Sequence, residues 1–156
     1  MIVKLTRIEV QSRQDMEMID ITAQIERAVA ESGVRDGLVW AMTSHTSAGL
    51  LVTEGIECLE RDVLAHLERL APKRPPEGIY GYWHNRYLDF DGRLGFNAGD
   101  HLKSILGGVN CLFPVENGRL VRGSRQKAYF VEYDGPLART VLIQVLGEGG
   151  SLNDGA

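Results

Sequence analysis

Three of the four histidines in this 156-residue chain stand where packing does not explain them: His45 at the end of an apolar run, His84 among aromatic residues, and His101 at the start of a short helix. Neutral imidazoles are good ligands for zinc and related ions, and three of them with a water form a familiar open site. A divalent metal, zinc or magnesium, on His45, His84 and His101 is therefore one reading, carried by residue type, since the spacing matches no compact His-x-x-His motif. Direct contact of the imidazoles with an anion is another. Around His45 the segment Ser44-His45-Thr46-Ser47-Ala48-Gly49 adds hydroxyls, and the carboxylate of Glu54 follows within ten residues. Each residue also has a plainer reading: His45 as a satisfied histidine at a strand end, Thr46 and Ser47 as turn formers, His101 as an exposed residue of a capped surface helix. A Ser-His-Asp triad is disfavoured, because Ser47 lacks the glycine-flanked elbow that exposes a nucleophile.

The elements that must position these groups follow from periodicity. Residues 2–12 alternate, with Ile2, Lys4, Thr6, Ile8 and Val10 on one face, and read as a strand. After Asp15 as N-cap, Met18, Ile21, Ile25, Ala28 and Val29 recur at helical spacing up to Gly33. The run Leu38 to Ser44 is a strand covered on both faces, ending at His45. From Glu54 to Leu70, Ile56, Leu59, Val63, Leu67 and Leu70 give the strongest helical pattern in the chain, with His66 at the flank of the apolar stripe as a boundary residue. Residues 72–99 form a long segment with three prolines and several aromatics, read as an ordered flap that carries His84. A short helix follows from Asn97 to Gly107, with Asn97 or Asp100 as cap and Lys103 close to His101.

The remainder reads as strands: Val109 to Val115, Arg119 to Gly123, Lys127 to Tyr133 and Thr140 to Leu146, with Asn117-Gly118 as a hairpin turn. Residues 1–147 are one domain and 148–156 a frayed tail. The order of elements predicts an α+β fold, with helices covering one face of a mostly antiparallel sheet and two main helices plus one short helix.

Composition limits the function classes. A hydrophobic content of 44%, charged content of 24% and a net charge of -4 describe an ordinary globular chain with no global attraction for nucleic acid and no membrane span. The N-terminus lacks a secretory pattern, so a cytoplasmic location is expected. Cys58 and Cys111 are far apart and read as reduced packing residues.

The series His45-Thr46-Ser47-Ala48, Glu54, His84, Asn97-Ala98, His101-Leu102-Lys103, Leu106-Gly107, Pro114-Val115, Gly118-Arg119, Gly123 with Gln126, and Glu132 resembles the YjbQ-like family in order and separation, from residue 1 to about 147. The resemblance implies a seven-stranded sandwich, a homotrimer, and an association with thiamine-phosphate synthase activity, regarded as secondary in the family. Against the family pattern, Thr53, Gly55, Arg125 and Lys127 are departures, and the last two add positive charge.

On that reading, a pyrimidine methyl diphosphate joins a thiazole phosphate, which demands neutralisation of the leaving diphosphate more than a strong base. His45, His84 and His101 would then hold a metal or phosphate, and Thr46 and Ser47 would meet phosphate oxygens. Lys103, Arg125 and Lys127 would face the leaving group, Asn97 and Gln126 would contact substrate, and Glu54 would orient a histidine or complete a metal shell. Two alternatives share these residues: metal-dependent hydrolysis of a small phosphorylated molecule, and a non-enzymatic trimeric ligand-binding module.

Overall fold

The computed structural model describes residues 1–86 and 95–150. The expectations for Tyr87, Phe90 and most of the flap's second half, and for residues 151–156 of the tail, lie outside the described residues.

Strict alternation of buried and exposed residues builds the larger sheet. In the strand Asn110–Glu116, Cys111, Phe113 and Val115 turn inward and their neighbours outward. In the strand Ala138–Gly149, Val141, Ile143 and Val145 do the same. The chain order is β1 (Ile2–Gln11), β2 (Glu17–Asp20), α1 (Thr22–Ala30), β3 (Val34–Thr43), β4 (Ala48–Glu54) and α2 (Glu57–Leu70). A 3-10 turn at Ile79–Gly81 and the one-turn α3 (Trp83–Arg86) follow, then α4 (Ala98–Gly107), β5 (Asn110–Glu116), β6 (Arg119–Leu120), β7 (Gln126–Glu132) and β8 (Ala138–Gly149). Five strands form one sheet in the order β1-β8-β3-β5-β6, and three form a second in the order β2-β7-β4. Every pairing is antiparallel.

The main core lies between the sheets. Val39, Ala41 and Ile143 of the larger sheet meet Leu50, Ala128 and Phe130 of the smaller, and Ile25, Ala28 and Val29 of α1 join them. Behind the smaller sheet, Tyr129, Val131 and Tyr133 pack against Val63, Leu64 and Leu67 of α2. The outer face of the larger sheet keeps Val3, Leu5, Leu38, Trp40 and Leu112 exposed. Among the described residues, no helix is long and apolar enough to cross a membrane.

The α+β class and its antiparallel sandwich hold, with several boundaries moved. The described residues form eight strands rather than seven. Two of them, β2 and β4, are not among the strands that periodicity predicts, and β2 occupies the start of the expected first helix: Glu17–Asp20 pairs with Glu132 to Tyr129, and α1 begins only after Asp20 accepts a bond from the Thr22 N–H at 2.9 Å. Met18 and Ile21 stand a helical step apart, but the chain is extended here: Met16 and Met18 pack behind the smaller sheet, Ile19 and Ile21 in the main core, and pairing with β7 decides it. Likewise α2 starts at Glu57, because β4 stays paired with β7 out to Glu54 opposite Gln126. Cys111 is a packing residue as expected, but Cys58 is exposed on α2.

Candidate functional site

The link from β3 to β4 crosses from one sheet to the other, and this arch carries Ser44, His45, Thr46 and Ser47. Crossing strips the chain of ladder partners, so side chains replace them. Thr43 Oγ1 accepts from the His45 N–H at 3.2 Å, and Ser104 Oγ of α4 donates to the Ala48 carbonyl at 2.7 Å. Tyr133 N–H reaches the Ser47 carbonyl at 3.3 Å.

The three histidines divide by what their ring nitrogens do. The Thr140 N–H of β8 donates to His45 Nε2 at 3.0 Å, so that nitrogen keeps its lone pair engaged and the ring is neutral there. Burial lowers the His45 pKa, the Arg139 guanidinium lowers it further, and Glu132 partly opposes both. His101 is the reverse case: its Nδ1–H donates to the Thr46 carbonyl at 2.8 Å and leaves Nε2 open. His84 donates Nδ1–H to the Gly95 carbonyl at 2.9 Å, again leaving Nε2 open. The His84 and His101 ring centroids lie 5.2 Å apart, tilted by 53°. His45 and His101 both line a cavity of about 400 Å³ with Thr43, Ser44, Thr46 and Ile105.

A metal on all three histidines does not fit this geometry. His45 Nε2 is held by a backbone amide, and the other two imidazoles supply only two ligands where zinc takes at least three from protein. Magnesium prefers oxygen ligands, and among the described residues no group of three or more His, Cys, Asp or Glu is arranged to hold a metal.

Other expected site residues are elsewhere. Ser47 Oγ is buried, accepting from Arg139 Nη2 at 3.1 Å. Lys103 is fully buried, its ammonium 3.0 Å from Asp100 and 2.7 Å from Glu68, so it offers no charge to a bound phosphate. Asn97 donates to Asp134 at 2.8 Å instead of capping α4 with its side chain. Glu54 pairs with Arg125 at 2.8 Å, Lys127 with Asp20 at 3.0 Å, and Gln126 accepts from the Gly123 N–H at 2.8 Å. This second group sits at the Glu54 end of β4, and the histidine arch at its Ala48 end, roughly 20 Å away at about 3.3 Å per residue. Within one chain the two groups do not meet.

Two positioning residues escaped the sequence reading. Asn85, fully buried, donates to the Ile79 carbonyl at 2.7 Å and accepts from the Ala98 N–H at 3.3 Å, tying the His84 turn to the start of α4. Arg139 makes two bonds of 2.7 Å to the buried Glu132 carboxylate beneath His45. An inward-facing arginine in the alternation of β8 was the available signal.

A family model described as UPF0047 protein YjbQ-like matches residues 6–148. The chain belongs to the YjbQ-like UPF0047 family. A UPF0047 protein of Archaeoglobus fulgidus is 40% identical over 131 residues, spanning 84% of this chain and 92% of the relative. UPF0047 protein YugU of Bacillus subtilis is 31% identical over 144 residues, spanning 92% and 99%. A solved structure from Sulfolobus solfataricus, a YbjQ-like protein of unknown function, superposes with a TM-score of 0.83 at 31% identity, covering 94% of this chain and 98% of that one.

These findings overturn the thiamine-phosphate synthase expectation: the family and its relatives carry no such activity in their descriptions. The three-histidine metal centre that the hydrolase alternative needed, and that was one of two roles given to the histidines in the synthase, is not found among the described residues.

Proposed function

We propose that the chain binds a small phosphate-bearing molecule over the His84 and His101 pair through the open Nε2 of each ring, one carrying a second ring proton and donating it, the other accepting from a phosphate hydroxyl. The observation that carries this reading is that the two neighbouring rings engage the backbone through the same nitrogen. Each spends Nδ1–H on a backbone carbonyl and leaves Nε2 open, with centroids 5.2 Å apart. Fixing Nδ1 in this way sets the tautomer and ring angle, as a site for hydrogen bonding to a ligand requires. The hydroxyls of Ser44 and Thr46 beside His101 suit the remaining phosphate oxygens. The same reading includes a cytoplasmic homotrimer, supported by the exposed apolar face of the larger sheet.

Calorimetric titration with phosphate, pyrophosphate and phenyl phosphate tests it. Saturable binding is expected, weakened about 10-fold or more in His84→Asn and in His101→Asn, the scale of losing a charge-assisted hydrogen bond. Absence of binding by all three compounds, or variants that bind as the wild type does, would overturn it.

A further inference from the structure

A second cavity, of about 500 Å³, lies away from the histidine pair, between α2, β4 and the last turn of α4. Its floor is apolar: Leu67 is buried, while Leu51 and Val63 are half-buried and Leu106 is 54% exposed. Ser104 and Ile105 face the histidine cavity, whereas Leu106 and Gly107 face this groove, so α4 separates the two.

Two polar features single the groove out. On its rim, the Arg69 guanidinium meets no carboxylate, and its one partner among the described residues is His66 Nδ1 at 3.4 Å. Asp62 lines the groove seven residues earlier on α2, roughly 10 Å along the helix axis at about 1.5 Å per residue. The groove therefore has a cationic end and an anionic end, with apolar surface between them. At its back, the buried Tyr133 hydroxyl has no hydrogen-bond partner among the described residues. It lies against Gly107, where an added Cβ would stand 2.5 Å from it, so only a residue without a side chain separates that hydroxyl from the groove.

We propose that this groove binds a small amphipathic monocarboxylate, its apolar body on Leu51, Val63, Leu67 and Leu106 and its carboxylate on Arg69 and His66. Charge decides the class. Arg69 supplies an unspent, fork-shaped cation for a carboxylate, and Asp62 repels a second anion at the far end. An uncharged apolar molecule would gain nothing from the guanidinium.

The full chain is titrated calorimetrically with sodium octanoate and with octan-1-ol. Saturable octanoate binding is expected, weakened at least about 10-fold by Arg69→Gln, a change that leaves any octanol binding as it was. Leu106→Glu should abolish octanoate binding. Both side chains are exposed, so each variant should keep the wild-type circular dichroism spectrum and melting temperature. No saturable octanoate binding, or equal binding by Arg69→Gln, would overturn the assignment. So would a Leu106→Glu chain that loses an oligomer while octanoate fails to bind the wild type, an outcome that assigns the groove to a second copy.

Discussion

With the Thr140 N–H donated to Nε2, the His45 imidazole must release that bond before it can take a second proton. Burial and the Arg139 charge oppose the same step, and Glu132 offsets them only in part. Folding therefore depresses the His45 pKa below the ordinary histidine value of 6.5. The sign follows by linkage: the unfolded chain binds this proton more readily, so the contribution is complete above about pH 6.5, declines as pH falls toward the folded value, and levels off below it. Urea unfolding at pH 7.5 and pH 5.0 should show a larger loss for the wild type than for His45→Asn, which has no proton to bind there. Equal losses would mean that other groups carry the pH dependence and that the imidazole is not held neutral. In His84 and His101 the backbone contact is made by Nδ1, so the lone pair left to a ligand is at Nε2. One residue type thus serves two purposes according to which nitrogen the backbone claims.

At the scale of elements, the arch between β3 and β4 is held from below by β7 and β8 through the Glu132 and Arg139 pair. Removing the guanidinium alone leaves a fully buried carboxylate facing Ser12 and the backbone, which costs about 3–5 kcal/mol by analogy with other broken buried pairs. Arg139→Met should lose stability on that scale in urea, and Arg139→Met with Glu132→Leu should recover most of it, since both charges then leave the interior together. A double variant as unstable as the single one would show that the pair organises the arch beyond balancing its own charge. How much of this was legible beforehand differs by element. The alternation of β5 was plain because one face of it is buried, and the α2 stripe was plain as a period, although Leu67 alone of it is buried and Ile56 and Leu70 are exposed. β2 was hidden, since Met18, Ile21 and Ile25 mark a helical spacing, while the alternation of Met16 and Met18 against Ile19 and Ile21 is too short to stand out without the pairing with β7. At the site, type and position marked His45, His84 and His101, but the sequence could not show that Thr140 takes the Nε2 of one, nor that Lys103 is enclosed by Asp100 and Glu68. The Lys103–Asp100 pair is a local i,i+3 contact, but the Glu68 and Thr140 contacts join residues 35 and 95 positions apart in the chain, which no local pattern encodes.

For the molecule as a whole, the outer face of the larger sheet is the feature that one chain alone leaves unfinished. Leu5, Gln144, Trp40 and Leu112 lie in one cross-strand row, and Val3, Leu146, Leu38 and Pro114 in the next. Leu5, Trp40 and Leu112 are 42%, 36% and 56% exposed, so this row, broken by Gln144, and the apolar row beside it present apolar surface where the opposite face is filled by the core. Such surface favours association, and it underlies the proposed trimer. Met42, two residues along the same face of β3, also lines the histidine cavity, so the face and the cavity share an edge. Trp40→Lys combined with Leu112→Lys places two cations on this face without touching the interior. Light scattering should find the wild type as a trimer and this variant as a folded monomer. A wild type that is monomeric at micromolar concentration would refute the trimer. If the folded monomer also loses phosphate affinity while His84 and His101 are unchanged, the shared edge at Met42 means that a neighbouring chain walls the cavity. Unchanged affinity would instead make the imidazole pair a site complete within one chain.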